Sequence, residues 1–193
     1  MKIILVRHGE TEENKERIIQ GHSATLSELG KEQARKLANR LKDEKIDVII
    51  SSDLNRARLT AEEVAKFHPS VKVELREELR ERYWGEYQGK RKEDIGNWEE
   101  KEFSLDHPES VETFDALSKR VKKLIKYLEK NYSKKTVLLS GHGLINSIII
   151  NLLLQEEVQK NNLTHNTSVT IFEFDENGKA ELKLFNCTKH LEE

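Results

Sequence analysis

The chain predicts a three-layer α/β/α sandwich, with a mostly parallel central sheet and an antiparallel hairpin added at its C-terminal end. Three patterns carry this reading. Short apolar runs at 3–6, 48–50 and 137–139 alternate with longer segments whose apolar residues recur at helical spacing. Those runs are apolar at consecutive positions, as strands buried on both faces require. Near the end, strand-like runs at 169–174 and 180–185 flank Asn177-Gly178, a hairpin turn signal.

Taken in order, a first strand over 2–6 runs into Arg7-His8-Gly9-Glu10-Thr11 and a loop reaching Leu26. Ser27 is a helix N-cap, followed by Ala34, Leu37, Ala38 and Leu41 on one face. A second strand spans 46–51. Asp53 is placed to cap the next helix, which turns Leu54, Ala57, Ala61, Val64 and Ala65 inward. Residues 71–75 alternate like a half-exposed strand. The stretch 77–108 is irregular, charged and aromatic, with a short helix near 92–98. The clearest amphipath follows, carrying Val111, Phe114, Leu117, Val121, Leu124, Ile125 and Leu128 in one stripe. A strand over 136–140 then leads into an apolar helix at 144–154, buried against the sheet.

A length of 193 residues suits one domain spanning 1–193. The 33 Lys and Arg nearly balance the 35 Asp and Glu, so no global field points to nucleic acid. The most apolar stretch, 144–154, falls well short of the roughly 20 residues a membrane span needs. The N-terminus opens directly into a strand, so no signal peptide is expected. Cys187 is the only cysteine, which excludes an intrachain disulfide and fits a reducing compartment. A cytoplasmic protein without membrane or nucleic-acid partners is expected.

The chemistry starts where strands stop. Arg7-His8-Gly9 follows one apolar run and Gly141-His142-Gly143 follows another. In open α/β sheets ligands bind beyond the carboxyl ends of the strands, so the two imidazoles can share one pocket. Arg56, in the first turn of the helix after 46–51, brings a second guanidinium to the same rim. Two arginines and two imidazoles beside helix N-termini make a site for a small, multiply charged anion, and phosphate fits best. A histidine there can also act as a covalent nucleophile, forming a phosphoramidate. The reaction then needs an acid for the leaving oxygen. The segment 79–89, Leu-Arg-Glu-Arg-Tyr-Trp-Gly-Glu-Tyr-Gln-Gly, offers Glu81 and Glu86.

These motifs together resemble the histidine phosphatase superfamily, in its phosphoglycerate-mutase-like branch. Arg7 to Thr11 with Asn14 resembles its signature, and Gln20-Gly21 its phosphate-closing loop. Residues 29–34 are similar to the start of its first helix, and 51–57 with Thr60-Ala61 to its second arginine motif. Residues 79–89 resemble its acid loop, Glu109-Ser110 the start of its long helix, and 140–143 its second-histidine motif. The resemblance implies a phosphohistidine on His8, with Arg7, Arg56 and His142 stabilising the transferring group and Glu81 as proton donor. It implies substrate-phosphate contacts at Asn14, Gln20 and Gly21, with Thr11 and Gly143 in the same set. It implies neither cofactor nor metal, since the arginines and His142 supply the positive charge. A small phosphorylated metabolite is the expected partner.

The chain departs from the family pattern at three places. The loop 21–27 is short and lacks the usual aspartate and proline, Gly141 replaces a common serine, and Ser147 replaces a common arginine. The segment 90–108 is also shorter than in the family's mutases and lacks their extra arginines. Together these predict a phosphatase for small phosphate monoesters. A cofactor-dependent phosphoglycerate mutase is the alternative, and a non-catalytic phospho-ligand binder the third reading. A metal site on His8 and His142 is disfavoured by the adjacent arginines. His22, Asn166 and the cluster Lys90-Arg91-Lys92 are further candidates for the pocket. Tyr83, Trp84 and Tyr87 are placed either on substrate or over the sheet edge.

Overall fold

The computed structural model describes residues 1–102, 104, 106–155 and 163–192. A six-stranded sheet runs in the order β3-β2-β4-β1-β5-β6. Its strands are β1 (Lys2–Arg7), β2 (Val48–Ser51), β3 (Val73–Leu75), β4 (Thr136–Gly141), β5 (Val169–Phe174) and β6 (Ala180–Cys187). The first four are mutually parallel, while β5 is antiparallel to β1 and β6 to β5. The expected hairpin therefore closes one edge. Its turn places Gly178 at φ 78° and uses the Asp175 carboxylate to accept from the Asn177 and Lys179 backbones.

The helices are α1 (Glu12–Lys15), α2 (Glu28–Leu41), α3 (Asn55–Ala65), α4 (Lys92–Ile95), α5 (Trp98–Lys101), α6 (Phe114–Tyr132) and α7 (Gly143–Leu154). Strand pleating splits the core in two. Ile3, Leu5, Val137, Leu139 and Phe172 pack with Leu117, Val121 and Leu124 of α6 and Ile145, Ile148 and Ile149 of α7. Ile4, Val6, Ile49 and Leu138 pack on the other face with Leu37, Ala38 and Leu41 of α2 and Ala61 and Val64 of α3. This is the three-layer sandwich the patterning predicts.

Ser27 caps α2 by accepting from the Gly30 backbone, as its position requires. Asp53 does not cap α3. Leu54 is the N-cap there, and Ser52 Oγ accepts from its backbone instead. A stronger partner has taken the Asp53 carboxylate: both of its oxygens accept from the Arg80 guanidinium, Oδ1 at 2.7 Å from Nε. The short helix expected near 92–98 is two helices, α4 and α5, because Gly96 and Asn97 take left-handed φ values of 67° and 41°.

Candidate active site

Parallel pairing aligns the ends of three adjacent strands. Arg7 lies in register with Gly141, the His8 amide donates to the Gly141 carbonyl, and the Ser52 amide donates to Ser140. What the sequence attaches beyond those ends therefore converges. The His8 and His142 rings stand 5.1 Å apart, inclined at 58°. Arg56, only 1% exposed, reaches the same place from the first turn of α3.

Gly9 and Gly30 let the signature loop seat against α2. A Cβ on Gly9 would lie 2.4 Å from the Gly30 oxygen, and one on Gly30 would lie 2.0 Å from the Glu10 oxygen. The loop backbone also donates from Gly9 to Thr60 Oγ1 and from Glu10 to Gln33 Oε1. From behind, Asn166 Nδ2 donates to the His8 carbonyl, and the Thr167 amide to that of Arg7. Asn166 thus braces the strand end and does not line the pocket.

His8 is held in one tautomer. Its Nδ1 lies 2.6 Å from the Gly9 carbonyl, which can only accept, so Nδ1 carries the proton and Nε2 keeps its lone pair. Burial, then the Arg56 and Arg7 charges, push the His8 imidazolium well below the ordinary histidine range. Burial, Arg56, His8 and Arg7 do the same to His142. Burial also lowers both arginines, Arg56 to about 10.

The buried polar groups here are incompletely used. Arg7 Nη1 donates to the Thr164 carbonyl and Arg56 Nη1 to that of Gly21, but Nε of each arginine has no protein partner. Neither do both ring nitrogens of His142 or Oε1 of Gln20. Buried polar atoms are rarely left so. The two arginines border one cavity, where their unused N–H groups form a cradle for an oxyanion.

That cavity, about 120 Å³, is bordered by Arg7, His8, Asn14, Gln20, Arg56, Glu81 and Gly143. His142 stands behind His8 and does not border it directly. Asn14 Oδ1 accepts from the Thr11 backbone and from Asn166, which leaves its amide NH₂ as the end available to an anion. Thr11 is the buried N-cap of α1 and forms a capping box with Asn14. Gly21 gives its carbonyl to Arg56. Thr11 and Gly21 shape the pocket from outside its lining.

Glu81 sits at the start of α7. Its Oε2 accepts from the Leu144 amide at 3.1 Å, and Oε1 from those of Ile145 at 3.2 Å and Arg82 at 2.9 Å. This aims the carboxyl into the cavity beside His8. Glu86 is exposed and its backbone donates to Ser110 Oγ, away from the chemistry.

Of the remaining candidates, Trp84 borders the cavity and packs on Trp98 at 4.8 Å. Tyr87 packs behind them, against Trp98. Tyr83 is 46% exposed and faces His22 across a separate open groove of about 480 Å³, which meets the cavity at Glu81. Within the basic cluster only Lys92 borders the cavity. Lys90 lies over the Tyr87 ring, and Arg91 faces Glu16 and Glu93.

Sequence reasoning missed Glu102, a second carboxyl on the cavity wall. Burial and the nearby Glu81 raise its pKa. Its only sequence signal was an acidic residue one helical turn after Trp98. Gly141 also gains an explanation. A Cβ there would lie 2.5 Å from Asn146 Oδ1, so the buried Asn146, which donates to the Val6 carbonyl, occupies the space a side chain would need.

Among the described residues no cluster of three or more His, Cys, Asp or Glu is arranged to hold a metal ion. No helix among them is long and apolar enough to cross a membrane.

A strand-end pair of histidines with two buried arginines and a carboxylate on a three-layer sandwich defines a phosphoryl-handling class. The chain belongs to the histidine phosphatase superfamily, branch 1, whose family model matches residues 3–188. It is 32% identical to phosphoserine phosphatase 1 of Hydrogenobacter thermophilus, over all of this chain and 95% of that one. It is also 32% identical to phosphoglycerate mutase-like protein 4 of Arabidopsis thaliana, over all of this chain and 87% of that one. The solved structure of Bacillus stearothermophilus YhfR superposes with a TM-score of 0.88 at 26% identity, covering 98% of each chain.

Proposed function

We propose that this protein, a single catalytic domain over 1–193, hydrolyses small phosphate monoesters through a phosphohistidine on His8. The observation that carries the reading is the His8 tautomer. An imidazole with Nδ1–H fixed on the Gly9 carbonyl, and neutral through the physiological range, presents Nε2 as a nucleophile beside two guanidiniums.

The substrate phosphoryl group would sit in the cradle of Arg7, Arg56 and the Asn14 amide, with His142 as a further donor. Attack by Nε2 forms the N–P bond as the ester P–O bond breaks, and Glu81 delivers a proton to the leaving oxygen. Water then attacks phosphorus, the N–P bond breaks and the Glu81 carboxylate takes the water's proton. The arginines supply the charge neutralisation a divalent ion gives elsewhere, so no metal is required in this scheme. The phosphatase names among its relatives support hydrolysis, and a cytoplasmic setting fits the lone Cys187.

A mutase would have to hold a phosphoglycerate by its carboxylate while the phosphoryl group returns to it, and among the described residues of 90–108 Lys92 is the one cation that borders the cavity. A binder without turnover would need neither a free Nε2 nor an aimed carboxyl. The test is acid quenching with labelled p-nitrophenyl phosphate, which should trap an acid-labile, base-stable adduct on His8. His8→Ala should lose at least about 10³-fold in rate. Label on serine, or near-normal turnover by the variant, would overturn the assignment. Feeding 3-phosphoglycerate with 2,3-bisphosphoglycerate should release phosphate; 2-phosphoglycerate formed with little phosphate would select the mutase.

A further inference from the structure

The cavity has two chemically different sides. Its inner side is cationic and donor-rich, as the transferred phosphoryl group requires. Its outer wall holds one charge of each sign, Lys92 and Glu102, against the apolar surfaces of Trp84, Trp98, Ile19 and Leu163.

Neither charge is used by the reaction, and the local neighbour of both is the neutral Trp98 indole, whose N–H faces the Glu102 carboxylate and whose ring lies under the Lys92 ammonium. Glu102 lies beyond Trp98 by one turn of α5, and the Lys92 ammonium lies 5.3 Å from the Trp98 ring centroid. The two feel each other's field, but no ion pair within bonding distance joins them among the described residues. Glu102 also feels Arg7 and Glu81. Arg7 is already committed to the Thr164 carbonyl and the phosphoryl cradle.

A carboxylate so close to an anion site weakens the binding of a bare phosphate. It becomes favourable when the ligand brings a positive charge to it. Lys92, on the same wall, asks for a negative one. Trp84 and Trp98 exclude water from both interactions, which strengthens them. A polyol leaving group would meet the indoles, Ile19 and Leu163, which offer its hydroxyls few partners.

We propose that Lys92 and Glu102 are the specificity-determining residues for the leaving group. They read, respectively, its carboxylate and its ammonium, and the preferred substrates are small O-phosphorylated α-amino acids. This rests on the phosphatase reading above and adds to it which side chains select the ester.

The experiment compares three esters of similar size, each as the ratio of its kcat/KM to that of p-nitrophenyl phosphate. The ratio cancels differences in the fraction of folded, active enzyme. O-phospho-L-serine carries both charges, 3-phosphoglycerate lacks the ammonium, and O-phosphoethanolamine lacks the carboxylate. In the wild type, phosphoserine should exceed each of the others by at least about tenfold, the scale of one charge-assisted contact. Glu102→Gln should lower the ratio about tenfold or more for phosphoserine and phosphoethanolamine, but not for 3-phosphoglycerate. Lys92→Met should lower it for phosphoserine and 3-phosphoglycerate, but not for phosphoethanolamine. A wild-type preference for 3-phosphoglycerate, or variants that shift all three ratios equally, would overturn the inference while leaving the phosphatase reading intact. Wild-type enzyme that fails to turn over p-nitrophenyl phosphate would overturn both.

Discussion

Arg120 holds the main chain that carries Glu81. From the middle of α6 its guanidinium donates to the carbonyl oxygens of Glu78 at 2.8 Å, Arg80 at 2.7 Å and Glu81 at 3.2 Å. The Glu112 carboxylate fixes the guanidinium in turn, at 2.7 Å from Nε and 2.9 Å from Nη2. Glu81 is therefore gripped twice, through its carboxyl by the N-terminus of α7 and through its backbone by Arg120.

Arg120→Lys keeps the charge but loses the planar fork that spans three carbonyls. The expected result is a fall in kcat of about 10- to 100-fold for alkyl phosphates, whose leaving oxygen needs a proton from a well-placed acid. Turnover of p-nitrophenyl phosphate should fall much less, because nitrophenolate departs unprotonated. Glu81→Gln should show the same split more strongly. Steady-state kinetics on both ester classes checks it, and an equal loss on both would assign Arg120 to folding alone.

Arg7, His8, Arg56 and His142 were legible from sequence because each is tied to a strand end or helix start, whereas Glu81 stood out only as a carboxyl in an aromatic loop. Val6 and Leu139 mark strands, so Arg7-His8 and Gly141-His142 had to emerge on one edge of a parallel sheet. The second rank was not legible. Arg120 and Glu102 act through long-range contacts that no local pattern encodes, and Arg120 sits in α6 among ordinary charged residues; Asn166 stood out as a pocket candidate, but its bracing of the His8 carbonyl did not. Asp53 shows the same limit from the other side. Its position is right for a cap, but Arg80, 27 residues away, wins it with a two-point charged contact. Thr11 and Gly21 were placed in the pocket by resemblance, and in the structure they support residues that line it.

The close approach of the signature loop to α2 is a packing requirement. Gly30→Ala would place a methyl against the Glu10 backbone carbonyl, which cannot rotate away as a side chain would. Helix propensity favours alanine there by about 1 kcal/mol, but the clash should outweigh it. Net destabilisation of about 1–3 kcal/mol is expected, measured by urea unfolding. A variant as stable as wild type would show that the loop and helix can separate at no cost.

Charge neutralisation by Arg7 and Arg56 predicts that turnover survives exhaustive chelation with EDTA. Arg56→Lys should lose at least about 10²-fold in kcat, since a point charge cannot reproduce the fork on two phosphoryl oxygens. Activity lost in EDTA and restored by Zn²⁺ or Mn²⁺ would place a metal in the reaction instead.

Three buried histidines make stability fall on acidification from neutrality. His8 and His142 are held well below the ordinary value of 6.5, and burial with Arg40 pushes His190 to about 4. Well above pH 6.5 the folded and unfolded chains bind equal protons at these sites, so stability should be flat there. Below it the unfolded chain takes up protons that the folded chain refuses, and stability drops toward the folded-state values. Each histidine contributes a limiting slope of roughly 1.4 kcal/mol per pH unit. Carboxylates with lowered pKa, such as Asp47 and Asp53, lose their contribution only at lower pH, below their unfolded value of 3.8. Urea unfolding between pH 7.5 and 5 therefore reads mainly the histidines, with His107 adding in the same direction and Glu102, whose pKa is raised by burial, opposing them. The slope should fall by one histidine's share in His190→Gln, which lies outside the site. Stability that stays constant to pH 5, or rises, would contradict the burial of neutral imidazoles beside the two arginines.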